Sequence, residues 1–358
     1  MKILDWYILK KYIGTFVYAI SLLIVVVVIF DVSENIEDFL KNDAPIKEII
    51  VDYYINFIPY FINLFIYLFI FISVIFFTSK MAGNTEIIAI LSSGISFIRF
   101  LYPYLLGSII VGIFSLYLGN FLIPKTNEKR RDFKQKYVEN LQKDAGRNIH
   151  VQTEKGVFVY VESYNNKRHS GNRFTIEKFQ NQELIYKLIA DRIDYDSTGF
   201  WRISNYTERF IDGMNEYIVK GKTKDTLIPG LKPTDLYTVK HEHEIMNFWE
   251  LREHIAEEKL KGSKKVTVFE LEMYKRIASP VAIIILTFIG AALSSRKVRG
   301  GTGMHLGLGI AITFSYILFM QFSNVFATFG NLSPVLAAWI PNIIYAVLCI
   351  YLIRTAPK

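Results

Sequence analysis

Long apolar runs alternate with polar segments along this chain, and the runs predict six membrane-spanning helices. About 20 apolar residues let a helix cross the roughly 30 Å hydrocarbon core of a bilayer. The runs lie at 12–30, 53–79, 100–124, 277–295 and in the two halves of 300–353, which divide at 329–334. We therefore expect two groups of three spans, in residues 1–124 and 269–358.

The segment 125–268 between these groups is polar and predicts a single inserted domain. From 148 to 229 it alternates apolar and polar residues in short runs separated by turn-forming sequences such as NNKRHSG, DST and DG. Period-two alternation with such separators is typical of antiparallel strands. A more helical stretch follows at about 244–261. The pattern predicts an all-β insert, arranged as a sandwich or partial roll.

The distribution of charge predicts the orientation of the spans. Seven acids against two lysines follow the first run within 31–52, whereas Lys2, Lys10 and Lys11 precede it. Basic residues favour the cytoplasmic side of short loops. The amino terminus is therefore expected in the cytoplasm and the insert outside. The basic turn after the fourth run, with Arg296, Lys297 and Arg299, agrees with this orientation.

The segment TSKMAGNTEIIAILSSGISF, between the second and third runs, predicts a short amphipathic helix within about 80–97 on the cytoplasmic side. Asn84 or Thr85 can cap it. Its apolar stripe contains Ile87, Ile88, Ile90 and Leu91. The single acid, Glu86, is either a solvent-facing carboxylate or a docking group for a partner.

Composition supports membrane insertion over nucleic-acid binding. Hydrophobic residues make up 51% of the chain, and the net charge of +8 comes from lysines and arginines largely at the ends of apolar runs and in the insert. The only cysteine, Cys349, lies within a run and cannot form an intramolecular disulfide. The amino-terminal run lacks a small-residue cleavage site and is expected to be a retained anchor.

The chain contains only weak matches to known catalytic and ligand-binding motifs. GKT at 221–223 lacks the glycine of a phosphate-binding loop, and HEHE at 241–244, with His254 as a possible third ligand, lacks HExxH spacing. We expect no bound cofactor, no metal and no catalysis. The runs carry no acid or base apart from His305 near the start of the fifth, which disfavours a proton-driven transporter. We therefore expect that a separate subunit supplies the energy for transport.

A basic group follows the third run and allows two interpretations. It contains Lys125, Lys129, Arg130, Arg131 and Lys134. These residues either form a solvated helix or bind an anionic lipid headgroup, because arginine and lysine pair strongly with phosphate.

Several strings, in this order and spacing, resemble the LptF/LptG family of lipopolysaccharide export permeases. They are KILDWYILKKYIGTF, NTEIIAILSSGIS, LIPKTNEKRRDF, GFWRISN, RIASP and LAAWIPN. The resemblance covers nearly the whole chain. It implies an α-helical membrane protein with six transmembrane helices and a jellyroll-like periplasmic domain inserted between helices 3 and 4. Whether the chain is the F-like or the G-like member stays open.

The resemblance also implies an assembly in the Gram-negative inner membrane, with both termini cytoplasmic. The partners would be a related permease, a cytoplasmic LptB-type ATPase dimer that uses ATP and Mg, an LptC-type single-span protein and an LptA-type periplasmic bridge. The ATPase would contact a coupling helix through Glu86, with Ile87, Ile90 and Leu91 beside it. Lipopolysaccharide would enter laterally, with the first and fifth spans as gate elements. Some relatives have basic residues just outside the first span where this chain has acids and only Lys41 nearby, so Lys125, Lys129, Arg130 and Arg131 join Lys41 as headgroup candidates.

Two alternatives have different signatures. A lipoprotein-releasing permease has fewer spans and an external domain after the first of them. A membrane receptor or scaffold with a β sensor domain would need a cytoplasmic output module, and the sequence offers none.

Overall fold

A computed structural model describes residues 3–138, 146–166, 168–196, 199–236, 242–263, 265–296 and 301–356. Within these ranges six helices are long and apolar enough to cross a membrane, as the runs predict. They are α1 (Ile3–Lys41), α2 (Ile46–Gly83), α4 (Phe97–Tyr137), α6 (Val266–Ser294), α7 (Gly301–Phe329) and α8 (Pro334–Thr355). Two shorter helices are α3 (Glu86–Ser92) and α5 (Phe248–Leu260). The chain divides into a helical unit and a second unit that contains the strands.

The first three membrane helices extend beyond their apolar runs at both ends. Helix α1 has 39 residues and is roughly 58 Å long at 1.5 Å per residue, far more than a bilayer core requires. The acidic stretch after the first run is mainly helical and reverses at Asp43, which has a φ of 49°. Hydropathy marks only the part of a helix that lipid surrounds, so the polar extensions were not visible in the runs.

Helix α2 contains a π-helical segment, Ile49–Tyr54, just after its first turn, and an asparagine stabilises this segment. The side-chain amide of Asn56 donates to the backbone oxygens of Val51 and Asp52, each at 2.9 Å. A second π-helical segment, Leu118–Leu122, interrupts α4. Such segments leave carbonyl groups without regular helical partners, and nearby side-chain donors can satisfy them.

Glycines of α4 bring it close to its neighbours, as small residues in membrane helices predict. A Cβ added at Gly107 would lie 2.2 Å from the ring of Tyr12 in α1, and one at Gly112 would lie 3.2 Å from Pro280 in α6. Gly119 is less confined, with its nearest neighbours at 3.9 Å. The first two glycines therefore set how closely α4 packs in the bundle.

Buried polar pairs also join the membrane helices. Tyr12 bonds to Thr287 at 2.9 Å and Thr78 to Tyr104 at 2.8 Å. Asn342 of α8 accepts from the Tyr316 hydroxyl at 2.9 Å and donates to the backbone oxygen of Ala278 at 3.0 Å. In an apolar interior each of these groups needs a partner, so the pairs fix helix register.

The insert contains one antiparallel six-stranded sheet whose strands are neighbours in chain order. The strands are β1 (Gly146–Glu154), β2 (Val157–Asn165), β3 (Ser170–Gln180), β4 (Glu183–Tyr195), β5 (Trp201–Asp212) and β6 (Asn215–Thr226). All five pairings join consecutive strands, so the described topology is a meander without the crossing connections of a Greek key. The predicted combination of six membrane helices with an all-β insert is confirmed.

One face of the sheet forms the core of this unit. Val159, Phe174, Ile193 and Trp201 are buried there. The turn between β1 and β2 uses Gly156 at a φ of +80°, where a Cβ would lie 2.6 Å from the carbonyl oxygen of Phe179. That turn lies inside the stretch HVQTEKGVFVYVES, which therefore forms two strands.

The structure locates the candidate motifs and boundaries that the sequence indicated. GKT at 221–223 lies within β6, in an extended strand instead of a loop before a helix. The helical stretch expected near 244–261 is α5, and the expected division at 329–334 separates α7 from α8. His241, Lys297 and Arg299 lie outside the described residues. Among the described residues no three His, Cys, Asp or Glu side chains are grouped to hold a metal.

Candidate functional site

The amphipathic segment between the second and third membrane helices folds as α3, a helix of seven residues between two turns. Thr85 precedes it with a φ of 62°, and its side chain makes no capping bond. Left-handed backbone is costly for a β-branched residue. Capping of α3 by a side chain of Asn84 or Thr85 was therefore a wrong prediction, because Thr85 bonds to the Asn84 carbonyl and Asn84 turns to Glu86.

Glu86 is held by side chains from the first turns of α1. Its Oε2 accepts from the Tyr7 hydroxyl at 2.9 Å and from Lys11 Nζ at 3.4 Å, and its Oε1 accepts from Asn84 at 3.3 Å. Lys11 also donates to the Tyr7 hydroxyl and lies 4.1 Å from the centre of the Tyr7 ring. Glu86 is therefore neither isolated nor simply solvated.

The pKa of Glu86 lies below its ordinary value. Partial burial raises the pKa, but hydrogen bonds from Tyr7 and Asn84, together with the charge of Lys11, outweigh that effect. The carboxylate is ionised at neutral pH, and its side chain is still 28% exposed. It can thus accept a further donor from outside the chain.

The far end of the same segment is also fastened to α1. Arg99, in the first turn of α4, contacts both carboxylate oxygens of Asp5, through a hydrogen bond from Nη2 to Oδ2 at 2.8 Å and an ion contact between Nη1 and Oδ1 at 2.7 Å. Asp5 is almost completely buried. Such a bidentate pair fixes orientation as well as distance. We call residues 86–99, between these two attachments, the coupling segment.

The apolar residues of α3 divide between two faces. Ile87 is buried in the core shared by the membrane helices, and Ile90 and Leu91 are partly buried against it. Ile88 is 54% exposed. The exposed surface of α3 is thus formed by Ile88, Ala89 and Ser92 with parts of Glu86, Ile90 and Leu91. Ile87 packs behind this surface.

The headgroup candidates lie along one helix and at the end of another. Lys125 and Lys129 are exposed on α4, and Arg130 and Arg131 are half-buried. Lys41 is exposed at the end of α1, where Asn42 donates to the backbone oxygen of Tyr137 at 2.8 Å. Tyr137 is 12 residues beyond Lys125, so the candidates spread over roughly 18 Å of helix instead of forming one cluster.

The two arginines have different surroundings. The Arg130 guanidinium lies 4.9 Å from the ring centre of Tyr60 and 6.0 Å from that of Phe57, both on α2. Arg131 contacts its neighbour Asp132 at 3.3 Å. Stacking on aromatic rings leaves the edge of a guanidinium able to donate, so Arg130 is oriented without being neutralised.

Sequence reasoning missed Tyr7, Lys11, Asp5 and Arg99 as partners of the coupling segment. Their spacing held a partial signal, since Tyr7 and Lys11 are four residues apart and share a helix face. It also missed Arg276, whose guanidinium donates to the backbone oxygens of His243 and Met246, each at 2.9 Å, and to Glu272 at 3.0 Å. No local pattern indicates which loop a buried arginine will hold.

Six membrane helices in two groups of three, with a β domain inserted between the groups, are the architecture of a multi-pass membrane permease. Comparison with protein families identifies the family of permeases. The family described as lipopolysaccharide export system permease LptF/LptG matches residues 6–355. The chain belongs to this family over essentially its whole length. No curated protein matches it significantly.

Proposed function

We propose that this chain is a permease subunit of an ATP-driven exporter that extracts lipopolysaccharide from the inner membrane and passes it to a periplasmic bridge. Family membership over residues 6–355 is the observation that carries the proposal. Insertion of the β domain after the third membrane helix also favours it over a lipoprotein-releasing permease, whose external domain follows the first span.

The coupling segment is the proposed contact with a cytoplasmic ATPase dimer of the LptB type. Glu86 offers an ionised, partly exposed carboxylate, and Ile88, Ile90 and Leu91 offer apolar surface beside it. Ile87 packs into the core of the membrane helices, so a displacement of α3 is transmitted to them. A charged group next to an apolar patch is a suitable anchor for a partner.

The basic residues are proposed to contact the phosphates of the lipid at the outer rim of the helices. Arg130 is the strongest candidate because Tyr60 and Phe57 orient its guanidinium. Arg131, Lys129, Lys125 and Lys41 would add charge along the same rim. A spread of cations suits a headgroup with more than one phosphate.

The remaining partners follow from the same proposal. A related permease would complete a heterodimer, with an LptC-type single-span protein beside it and an LptA-type bridge receiving the lipid. Both termini would be cytoplasmic and the β domain periplasmic. The chain would bind no cofactor itself, since ATP and Mg are used by the ATPase.

Reconstitution of the complete complex in proteoliposomes tests the proposal. We expect ATP-dependent release of lipopolysaccharide to an added bridge protein, and we expect Glu86→Ala to weaken ATPase association and release without affecting insertion. Glu37→Ala, which removes an exposed carboxylate of α1, is the matched control. Unchanged ATPase co-purification and transport in Glu86→Ala would count against the role of Glu86.

Photocrosslinking tests the lipid contact. Reversal of Arg130 and Arg131 to Glu should reduce crosslinking of lipopolysaccharide at the rim, whereas Lys47→Glu, a charge reversal at another exposed position, should not. Persistent crosslinking in the double variant would make the solvated-helix interpretation of these residues correct.

A further inference from the structure

The first turns of α1 hold the coupling segment at both of its ends. Tyr7 and Lys11 bind Glu86 at one end, and Asp5 binds Arg99 at the other. Because a helix is stiff over two turns, the coupling segment cannot move away from these turns without breaking at least one attachment. The amino-terminal turns of α1 therefore restrain both ends of the coupling segment.

The two residues that bind Glu86 do so in different ways. Tyr7 makes a neutral hydrogen bond of 2.9 Å, which orients the carboxylate and leaves its charge in place. Lys11 approaches the same oxygen at a longer 3.4 Å and brings the opposite charge. The Lys11 side chain is 35% exposed, and an ion pair with this much solvent contact is weak.

We propose that Tyr7 is a positioning residue for Glu86, and that Lys11 is a resting counter-ion which a cationic side chain of the ATPase replaces on docking. This inference rests on the proposed function. An arginine can donate two parallel bonds to a carboxylate, which a lysine at 3.4 Å does not do. Two cations on one carboxylate oxygen repel each other, so the incoming group displaces Lys11.

The exchange links docking to α1. When Lys11 leaves Glu86, one attachment between α1 and the coupling segment is lost, while the Asp5–Arg99 pair at the other end remains. Docking therefore changes the restraint on α1, and Tyr7 keeps the carboxylate aligned during the change.

The test measures equilibrium binding of the ATPase to the permease pair in lipid nanodiscs. Tyr7→Phe removes one hydrogen bond and should weaken binding about fivefold. Lys11→Met removes the competing charge and should tighten binding about threefold, whereas Lys11→Arg keeps the competing charge and should not tighten binding. A role in folding alone would not move Tyr7→Phe and Lys11→Met in opposite directions.

Lys10→Met is the matched control, because Lys10 is exposed and makes no ion pair with any described residue. It should bind the ATPase like wild type. In a Glu86→Gln background, Lys11→Met should no longer tighten binding, since the carboxylate charge for which Lys11 and the ATPase compete is absent.

Failure of this inference can be separated from failure of the proposed function. If Glu86→Gln weakens ATPase binding while Tyr7→Phe leaves it unchanged, or while Lys11→Met leaves it unchanged or weakens it, the inference is wrong and Glu86 keeps its role. If Glu86→Gln itself binds normally, the docking role of Glu86 and the inference are both wrong.

Discussion

Asp5 and Arg99 form a bidentate ion pair between α1 and the start of α4, across 94 residues of sequence. The two partners are unequal, because the Asp5 side chain is only 2% exposed and that of Arg99 is 38% exposed. The pair therefore neutralises a buried carboxylate with an arginine whose side chain is in contact with water. This asymmetry determines the cost of losing each partner.

We expect Arg99→Met to destabilise the protein more than Asp5→Asn does. Loss of the arginine leaves a buried carboxylate without a counter-ion, whereas loss of the aspartate leaves an arginine that water can hydrate. Asp5→Asn should also restore stability to the Arg99→Met variant. Melting temperatures of the three variants in nanodiscs measure the order, and equal losses in both single variants would contradict it.

Glu208 is buried in the β domain, where it accepts hydrogen bonds from Lys224 at 2.8 Å and from the Tyr186 hydroxyl at 2.7 Å. Burial raises the pKa of Glu208, but the bonds from Lys224 and Tyr186 outweigh burial and leave the pKa below its ordinary value of 4.5. A lowered pKa stabilises the fold at higher pH, and this stability is lost as pH falls through the lowered pKa. Strands β4 to β6 should therefore lose protection below about pH 4.5.

Hydrogen exchange of the full chain, corrected for the intrinsic rate at each pH, measures this loss. Glu208→Gln should exchange faster at neutral pH and lose much of the acid dependence in these strands. Asp225→Asn is a matched control, because Asp225 pairs with Arg202 where both side chains are more than half exposed. A larger effect in the control than in Glu208→Gln would contradict the assignment to Glu208.

The sequence predicted the parts of the fold that depend on a repeating pattern. Apolar runs located all six membrane helices, and period-two alternation located the strands. The polar extensions of α1 were not predicted, since helices outside lipid carry no apolar run. The site was predicted in part: Glu86 was identified as one acid in an apolar segment, but its partners Tyr7 and Lys11 are 79 and 75 residues away. Contacts at that separation depend on helix packing, which a single sequence does not encode locally.

Gly107 allows a prediction about helix packing. A methyl group there would meet the buried Tyr12 ring, whose hydroxyl is fixed by Thr287, so the ring has little freedom to move. Gly107→Ala should lower stability by about 1–3 kcal/mol, the usual cost of overpacking. Gly119→Ala, where the nearest atoms are 3.9 Å away, should be nearly neutral. Unfolding midpoints in mixed micelles compare the two, and equal midpoints would contradict the packing argument.

Arg276 fastens the segment through which the chain returns to the membrane helices. Its side chain is 6% exposed, and it binds two backbone oxygens at 2.9 Å, those of His243 and Met246. Lysine keeps the charge but lacks the planar fork that reaches both oxygens and Glu272 together. Arg276→Lys should therefore raise hydrogen exchange within 242–251 roughly tenfold or more, since bonds from a charged donor are lost. Lys275→Met, which removes a longer contact of 3.6 Å to the same glutamate, should change exchange there far less. Unchanged exchange in Arg276→Lys would mean that the segment is held by other contacts.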